Sequence, residues 1–160
     1  PCGYYNHPTH EFKCMPGQMQ SYMNKSSGPL LDRIDIQVEV TLVPVEELSQ
    51  LPSGESSAMI RQRVEEARKI QTERFKDCPG IHCNAQMTRR LLEQYARLDE
   101  ESANVLSTAM RRYNLSARAY DRILRVARTI ADLDHSADIR RAQISEAVDN
   151  RPSDREDWGA

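Results

Sequence analysis

Three arginines in the last third of the chain have a spacing that could bind phosphate. Arg118, Arg122 and Arg125 stand at i, i+4 and i+7, so in a helix they share one face. Ser116 is a favourable N-cap that would put Arg118 at the second helical position, where the helix dipole disfavours a cation. An anion would reverse that penalty, because exposed amides and an arginine at one helix end form a phosphate site. The alternative is a solvated arginine face, partly offset by Asp121.

Two cysteines and two histidines near the N-terminus could bind a metal ion. Cys2, His7, His10 and Cys14 offer two thiolates and two imidazoles, which together would make a tetrahedral zinc site. Their spacing matches no standard zinc motif. The four residues are therefore candidate ligands, but we do not expect zinc to be tightly bound.

The motifs that bind and hydrolyse a nucleotide do not occur in these 160 residues. There is no G-x-x-x-x-G-K-[ST] phosphate loop, and no apolar strand ends in the acidic pair that would hold a nucleotide's magnesium ion. We therefore expect the chain to be inactive as an ATPase on its own. Any enzymatic role would depend on a longer parent protein.

The composition indicates one soluble, mainly helical domain. Hydrophobic residues make up 39% of the 160 positions and charged residues 29%, with only six glycines. No apolar run approaches the ~20 residues that cross a bilayer and no signal peptide is present, so we expect a cytoplasmic protein without membrane contact. Residues 61–131 carry an excess of basic side chains, which would suit a nucleotide, DNA or a solvated helical surface.

One strand is predicted ahead of the helical region. Ile34, Ile36, Val38 and Val40 alternate with polar residues, which indicates a strand near 34–43 with one buried face. Because the backbone groups of a strand need neighbours, the rest of its sheet is expected in sequence that precedes residue 1.

Downstream, the apolar spacing predicts a small helical bundle over residues 55–150. Its helices are expected at about 56–76, 84–97, 99–114, 116–131 and 141–148. Ser56 or Ser57 would cap the first and Asn84 the second. The first would bury Ile60, Val64, Ala67 and Ile70, and the fourth Tyr120, Ile123, Leu124, Ala127, Ile130 and Ala131. Residues 1–27 lack a sustained period and are predicted to be irregular.

Two consecutive runs in the fourth predicted helix resemble a known signature. Residues 115–124, LSARAYDRIL, and residues 126–133, VARTIADL, are similar to the C-terminal signature of the magnesium-chelatase-like AAA+ ATPases of the ComM/YifB type. In that family the arginine of this motif is the sensor-2 residue, which reaches from the helical lid to the terminal phosphates of ATP. The resemblance implies this role for Arg118.

A second run, SGPLLDRIDI at residues 27–36, resembles the segment that leads into the last strand of the same family's ATPase core. The equivalent arginine in related motors lies at the subunit boundary and can act as an arginine finger on a neighbour's ATP. The resemblance implies this role for Arg33. The alternative is that Asp32 and Arg33 pair with each other or cap the start of the strand.

The N-terminal residues resemble the family's paired Cys-x-Cys region, with two departures. The first pair is interrupted by the start of the chain, and Phe12 occupies the position of the first cysteine in the second pair. Both departures weaken the assignment of a zinc site to this segment.

The resemblance also implies a division of the chain. Residues 1–54 would be the C-terminal remnant of an AAA+ core, 55–150 the helical lid and 151–160 a polar tail. The chain would then be the C-terminal part of an ATP-driven motor that binds ATP and magnesium. That motor would work as a ring, expected to be a hexamer, through contacts with its own core and with neighbouring subunits.

Three functions for the parent protein stay open on the sequence. The first is a DNA helicase or branch-migration ATPase of the ComM type. The second is a chelatase-type motor subunit that drives metal insertion into a porphyrin. The third is a non-catalytic helical module that binds DNA or protein.

Overall fold

The computed structural model describes residues 2–4, 10–11, 13–25, 30, 33–38, 40 and 54–151. These residues form α1 (Pro16–Met23), α2 (Ser57–Arg74), a 3-10 turn (Asn84–Gln86), α3 (Arg89–Tyr95), α4 (Glu100–Arg112), α5 (Ala117–Leu133) and α6 (Arg141–Asp149). The predicted mainly helical fold class is confirmed. Within this part of the chain, none of the helices has the length and apolar character needed to cross a membrane.

Three of the predicted helix starts are confirmed by their capping hydrogen bonds. The side chains of Ser56, Asp99 and Ser116 each accept a hydrogen bond from the backbone N–H three residues further on, at 3.4, 2.8 and 3.2 Å. These bonds satisfy amides that would otherwise lack a partner in the first turn. The bond from the N–H of Ser102 also lowers the pKa of the Asp99 carboxyl.

The prediction that Asn84 caps a second helix over residues 84–97 is wrong. The helix begins later, at Arg89 with Thr88 as its N-cap residue, and Asn84 begins the preceding 3-10 turn. The side chain of Asn84 is only 1% exposed and bonds to distant residues of α5. Those tertiary bonds compete successfully with the local capping bond that favours asparagine at helix starts.

The core of the bundle is built around α5. This helix packs against α2, the 3-10 turn, α3 and α6, and α6 packs in turn against α4. Its predicted apolar stripe is buried except for Tyr120, which is half-buried. The most enclosed large side chains of the bundle are Met87, Leu92, Leu106, Ile123, Ile139 and Ile144. Burial of side chains of this size stabilises a fold by roughly 1.5–3 kcal/mol each.

Two features fix the loops of the bundle, one long-range and one local. An isolated parallel β-bridge joins Leu98, before α4, to Ile139, before α6. Asn114 and His135, which follow the C-caps of α4 and α5, have positive φ angles of 46° and 53°. This left-handed conformation is a common way to end a helix, and it confirms the predicted stop at Asn114.

The strand predicted near 34–43 is not formed by residues 34–38 and 40, and the other residues of that range lie outside the described part of the chain. Ile36 and Val40 are 53% and 86% exposed. No described segment lies beside these residues as a second strand, so the ladder of hydrogen bonds that a strand requires is not formed.

Only the second half of α2 is buried, although a longer apolar side was predicted. Ala67 is 4% exposed and Ile70 is half-buried, whereas Ile60 and Val64 remain 42% and 45% exposed. The difference arises because α2 meets α5 through its C-terminal turns and its first turns extend beyond the bundle.

The helix α1 was not predicted within the irregular segment 1–27. Pro16 occupies its first position, where a missing N–H costs nothing, and Gln18 accepts a hydrogen bond from the Met15 N–H at 3.3 Å. Both residues are local start signals that the lack of apolar periodicity obscured. Most of the predicted polar tail, residues 152–160, lies outside the described residues.

Candidate functional site

Arg118 occupies the position that the sequence predicts. It is the second residue of α5, directly after the Ser116 cap and Ala117, and its side chain is exposed. The first turn of α5 contains no acidic residue, whereas the first turn of α4 contains Glu100 and Glu101. The positive end of the α5 dipole is therefore next to a cation and no carboxylate of its own turn, which favours an external anion.

Arg122 is engaged with the N-terminal segment of the chain. Its Nη1 donates to the backbone carbonyl of Arg33 at 2.5 Å and to the carboxylate of Asp35. The Arg122 side chain is 22% exposed and that of Asp35 51%. Arg122 therefore belongs to a tertiary contact between α5 and residues 33–35.

Arg125 is also engaged. Its Nε and Nη2 donate to the carbonyl of Met87 at 3.3 and 2.8 Å, which fixes the end of the 3-10 turn against α5. Asp121, the predicted offset to the arginine face, instead accepts from Arg89 of α3 at 3.2 Å. The alternative of a simple solvated arginine face is therefore wrong for Arg122 and Arg125.

Arg33 lies close to the N-terminal half of α5. Its N–H donates to the carbonyl of Leu30 at 3.0 Å, its carbonyl accepts from Arg122, and its side chain is exposed. The backbone of Arg33 therefore lies against the N-terminal half of α5, the half that also carries Arg118. These are the two arginines with predicted nucleotide contacts. The alternative partner of Arg33, Asp32, lies outside the described residues.

The C-terminal half of α5 contains a buried polar network that the sequence did not predict. The carboxylate of Asp132, fully buried, accepts from both guanidinium nitrogens Nη1 and Nη2 of Arg74 in α2, the first at 2.7 Å. Its Oδ1 also accepts from Nε of Arg128 at 3.1 Å, and its Oδ2 from the side-chain amide of Asn84 at 2.7 Å. One carboxylate thus holds two guanidinium groups and an amide.

Backbone carbonyls accept the remaining hydrogen bonds of Arg128, the second cation of this network. Arg128 is 3% exposed and donates to the carbonyls of Ala137 and Ser136 at 2.7 and 2.6 Å. Burial lowers the pKa of the Arg128 guanidinium, and the nearby Arg74 adds to this while Asp132 opposes it. Because arginine titrates far above neutral pH, the group stays charged and the network must stay paired.

A sequence signal for this network existed. Arg128 and Asp132 stand at i, i+4 on the same helix and both interrupt the apolar residues around Ile130 and Ala131. Charged residues at such positions are almost never buried unless they are paired. The distant partner Arg74 has no comparable signal, because nothing in the local sequence specifies which helix it faces.

The N-terminal candidate metal ligands are only partly brought together. The Cys2 N–H donates to Sγ of Cys14 at 2.9 Å, while the ring of His10 lies beside that of Tyr4, with centroids 4.7 Å apart. His7 lies outside the described residues. In the part of the chain that the structure describes, no three His, Cys, Asp or Glu side chains form a group that could hold a metal ion.

The surroundings of the Cys2 thiol favour its ionised form. Hydrogen bonds from the backbone of Tyr4 and then Lys13, with a smaller contribution from Cys14, lower the pKa of Cys2 to about 7. Its side chain is exposed, and all four cysteines are free thiols. Two of the four candidate zinc ligands, Cys2 and Cys14, are therefore adjacent, and His10 is not part of their hydrogen-bonded pair.

Comparison with known families identifies the class of protein. Residues 54–151 match the family described as magnesium chelatase, subunit ChlI C-terminal, and residues 1–48 match magnesium chelatase, subunit ChlI. The chain belongs to the magnesium-chelatase-like family. The resemblance predicted from residues 115–133 and 27–36 is thereby confirmed.

Individual relatives cover nearly the whole chain. It is 40% identical over 158 residues to the uncharacterized protein YifB of Escherichia coli, and 38% identical over 152 residues to the competence protein ComM of Haemophilus influenzae. These alignments include 97% and 94% of this chain. The chain spans only 29% and 28% of the length of these two relatives.

Proposed function

We propose that this chain is the lid and sensor-2 portion of an AAA+ ATP-driven motor. Its membership of the magnesium-chelatase-like family supports the class of protein. The exposed arginine at the second position of α5 supports the role, and this is the observation on which the proposal rests. Arg118 would contact the terminal phosphates of ATP bound to the core and turn the helical bundle as the nucleotide changes.

The catalytic machinery of such a motor would lie mostly outside these residues. The chain has no phosphate loop, so ATP and its magnesium ion would be held by other parts of the full-length protein. Arg33 would act on the ATP of a neighbouring subunit in a ring, which we propose to be a hexamer, and stabilise the charge that develops on the transferred phosphoryl group. The isolated chain would not hydrolyse ATP.

The client of the motor is proposed from its relatives. The first candidate is a DNA helicase or branch-migration activity in the cytoplasm, and the support from the relatives is that ComM is named a competence protein. A chelatase-type role in metal insertion into a porphyrin is a second candidate, because the matching family is described as magnesium chelatase. A helical module that binds DNA or protein without using ATP is the third, supported by the basic residues of 61–131.

The test uses the full-length protein with single substitutions in the bundle. Arg118→Ala should lower the kcat of ATP hydrolysis by about tenfold or more, because a cation that stabilises developing phosphoryl charge is removed. Arg118→Lys should restore part of the loss, since lysine keeps the charge without the forked guanidinium. Neither variant should unfold at a lower temperature than the natural protein.

Arg90→Ala is the matched control for this experiment. Arg90 is also an exposed arginine at the second position of a helix, α3, but the resemblance implies no nucleotide contact for it. Its loss should leave kcat within about twofold, as for an exposed side chain away from the site. Unchanged hydrolysis in Arg118→Ala, or a loss caused by unfolding of the bundle, would contradict the sensor assignment.

A further inference from the structure

Residues 33–38 are attached to the helical bundle at two points. At one, Arg122 of α5 donates to the carbonyl of Arg33 and to the carboxylate of Asp35. At the other, the Gln37 N–H donates to the carbonyl of Asn150, just after α6, at 2.9 Å. The segment therefore crosses from the N-terminal half of α5 to the end of α6 without forming secondary structure of its own.

The contact at Arg122 contributes more to geometry than to stability. Its two partners belong to one short stretch of backbone, so the guanidinium fixes the path of residues 33–35 and not only one side chain. Asp35 is half exposed, and ion pairs in such surroundings are well screened by water. The bundle does not need this contact for its core, which is formed by the apolar faces of α3 to α6.

Arg122 is poorly suited to bind phosphate, although it shares a helix face with Arg118. Its Nη1 already donates to both a carboxylate and a carbonyl. A phosphate that bound to the other N–H groups of this guanidinium would lie close to the negative charge of Asp35. Direct contact with the nucleotide is therefore the less favourable of its two possible roles.

We infer that Arg122 is a positioning residue that couples Arg33 to α5. This inference rests on the proposed function, in which Arg118 contacts the ATP of its own subunit and Arg33 that of a neighbour. Arg118 and Arg122 lie one turn apart on one rigid helix, and Arg122 holds the backbone that carries Arg33. A rotation of α5 imposed at Arg118 would thereby change the position of Arg33.

The experiment measures steady-state ATP hydrolysis by the full-length protein. Arg122→Ala and Asp35→Ala should each lower kcat by about threefold to tenfold, a range typical of residues that carry coupling without touching a ligand. The KM for ATP should stay unchanged, because Arg118 still contacts the nucleotide. The double variant should be no slower than the slower single one, since both remove the same contact. Arg122→Lys should recover most of the rate, because lysine can still donate to both acceptors.

Arg89→Ala is the matched control. Arg89 also forms a partly exposed pair with an aspartate, Asp121, and links α3 to α5, and its ion-pair partners Glu93 and Asp121 both belong to the bundle. Its kcat should equal that of the natural protein. A raised KM in Arg122→Ala, independent effects of the two single substitutions, or an unchanged kcat would overturn the coupling role. If Arg118→Ala impairs hydrolysis while Arg122→Ala does not, this inference fails alone; if Arg118→Ala has no effect, the proposed function fails.

Discussion

The two halves of α5 differ in how their charged residues are surrounded. In the C-terminal, buried half, Arg128 and Asp132 are enclosed and bonded to several partners at once. In the N-terminal, exposed half, Arg118 is exposed and Arg122 contacts a segment outside the bundle. Arginine thus pairs inside the fold at one end of the helix and lies at or near the surface at the other. Exposure makes the difference, because water screens a charge at the surface and a buried charge must be paired.

The buried C-terminal half of α5 depends on one carboxylate, because the cations of its network outnumber the anions. Two guanidinium groups, from Arg74 and Arg128, share the single carboxylate of Asp132, and backbone carbonyls and the Asn84 amide complete the set. Loss of the carboxylate would leave the buried Arg128 and the partly buried Arg74 without their shared anion. The exposed half has no such dependence, so changes there should affect activity before they affect stability.

The largest expected effect tests the buried half. Asp132→Ala should lower the free energy of unfolding by about 3–5 kcal/mol, because it leaves uncompensated charge in the interior. Urea unfolding of the 160-residue chain would measure it. Asp121→Ala is the control on the same helix, since it loses one partly exposed pair and should cost less than about 1 kcal/mol. Similar losses in the two variants would remove the distinction between the halves.

The next effect concerns the start of the exposed half. Ser116→Ala should lower the free energy of unfolding by about 1 kcal/mol, because its hydroxyl caps the Ala119 N–H at 3.2 Å. Ser107→Ala, at an exposed position in the middle of α4, should be neutral or slightly stabilising, since alanine is the better helix former. If Ser116→Ala proved neutral in the same unfolding assay, the observed cap would not be what starts α5.

The smallest effect is a gain in stability at Arg118. Arg118→Glu should raise the free energy of unfolding by about 0.3–1 kcal/mol at low salt, because an anion replaces a cation at the positive end of the helix dipole. The gain should shrink as salt is raised to 1 M, where the Debye length falls to about 3 Å. A loss of stability would mean that the arginine supports the fold, and the exposed half would then resemble the buried one.

The sequence predicted those parts of the fold that depend on neighbours along the chain. The caps at Ser56, Asp99 and Ser116 and the stripe of α5 were recognisable because residues three or four positions apart decide them. Arg118 was placed correctly for the same reason. The family resemblance supplied its proposed role, which spacing alone left open.

The parts that were wrong depend on distant partners. Asn84 was assigned to a cap from its local preference for helix starts. Its actual bonds, to Asp132 and Thr129, cross from the 3-10 turn to α5 and have no local signal. The alternation in residues 34–40 is a genuine strand pattern, but a strand forms only beside another one. The contact between Arg122 and Asp35 likewise spans most of the chain, and no local rule specifies it.

The bridge between Leu98 and Ile139 bears on the order in which the bundle folds. These residues are separated by the whole of α4 and α5, so their pairing closes a long loop. The pairing therefore adds little stabilising free energy until both helices have formed. Contacts of this kind contribute late on a folding pathway, after the local helical turns have formed. We therefore expect the two loops to join last in refolding and to separate first in unfolding.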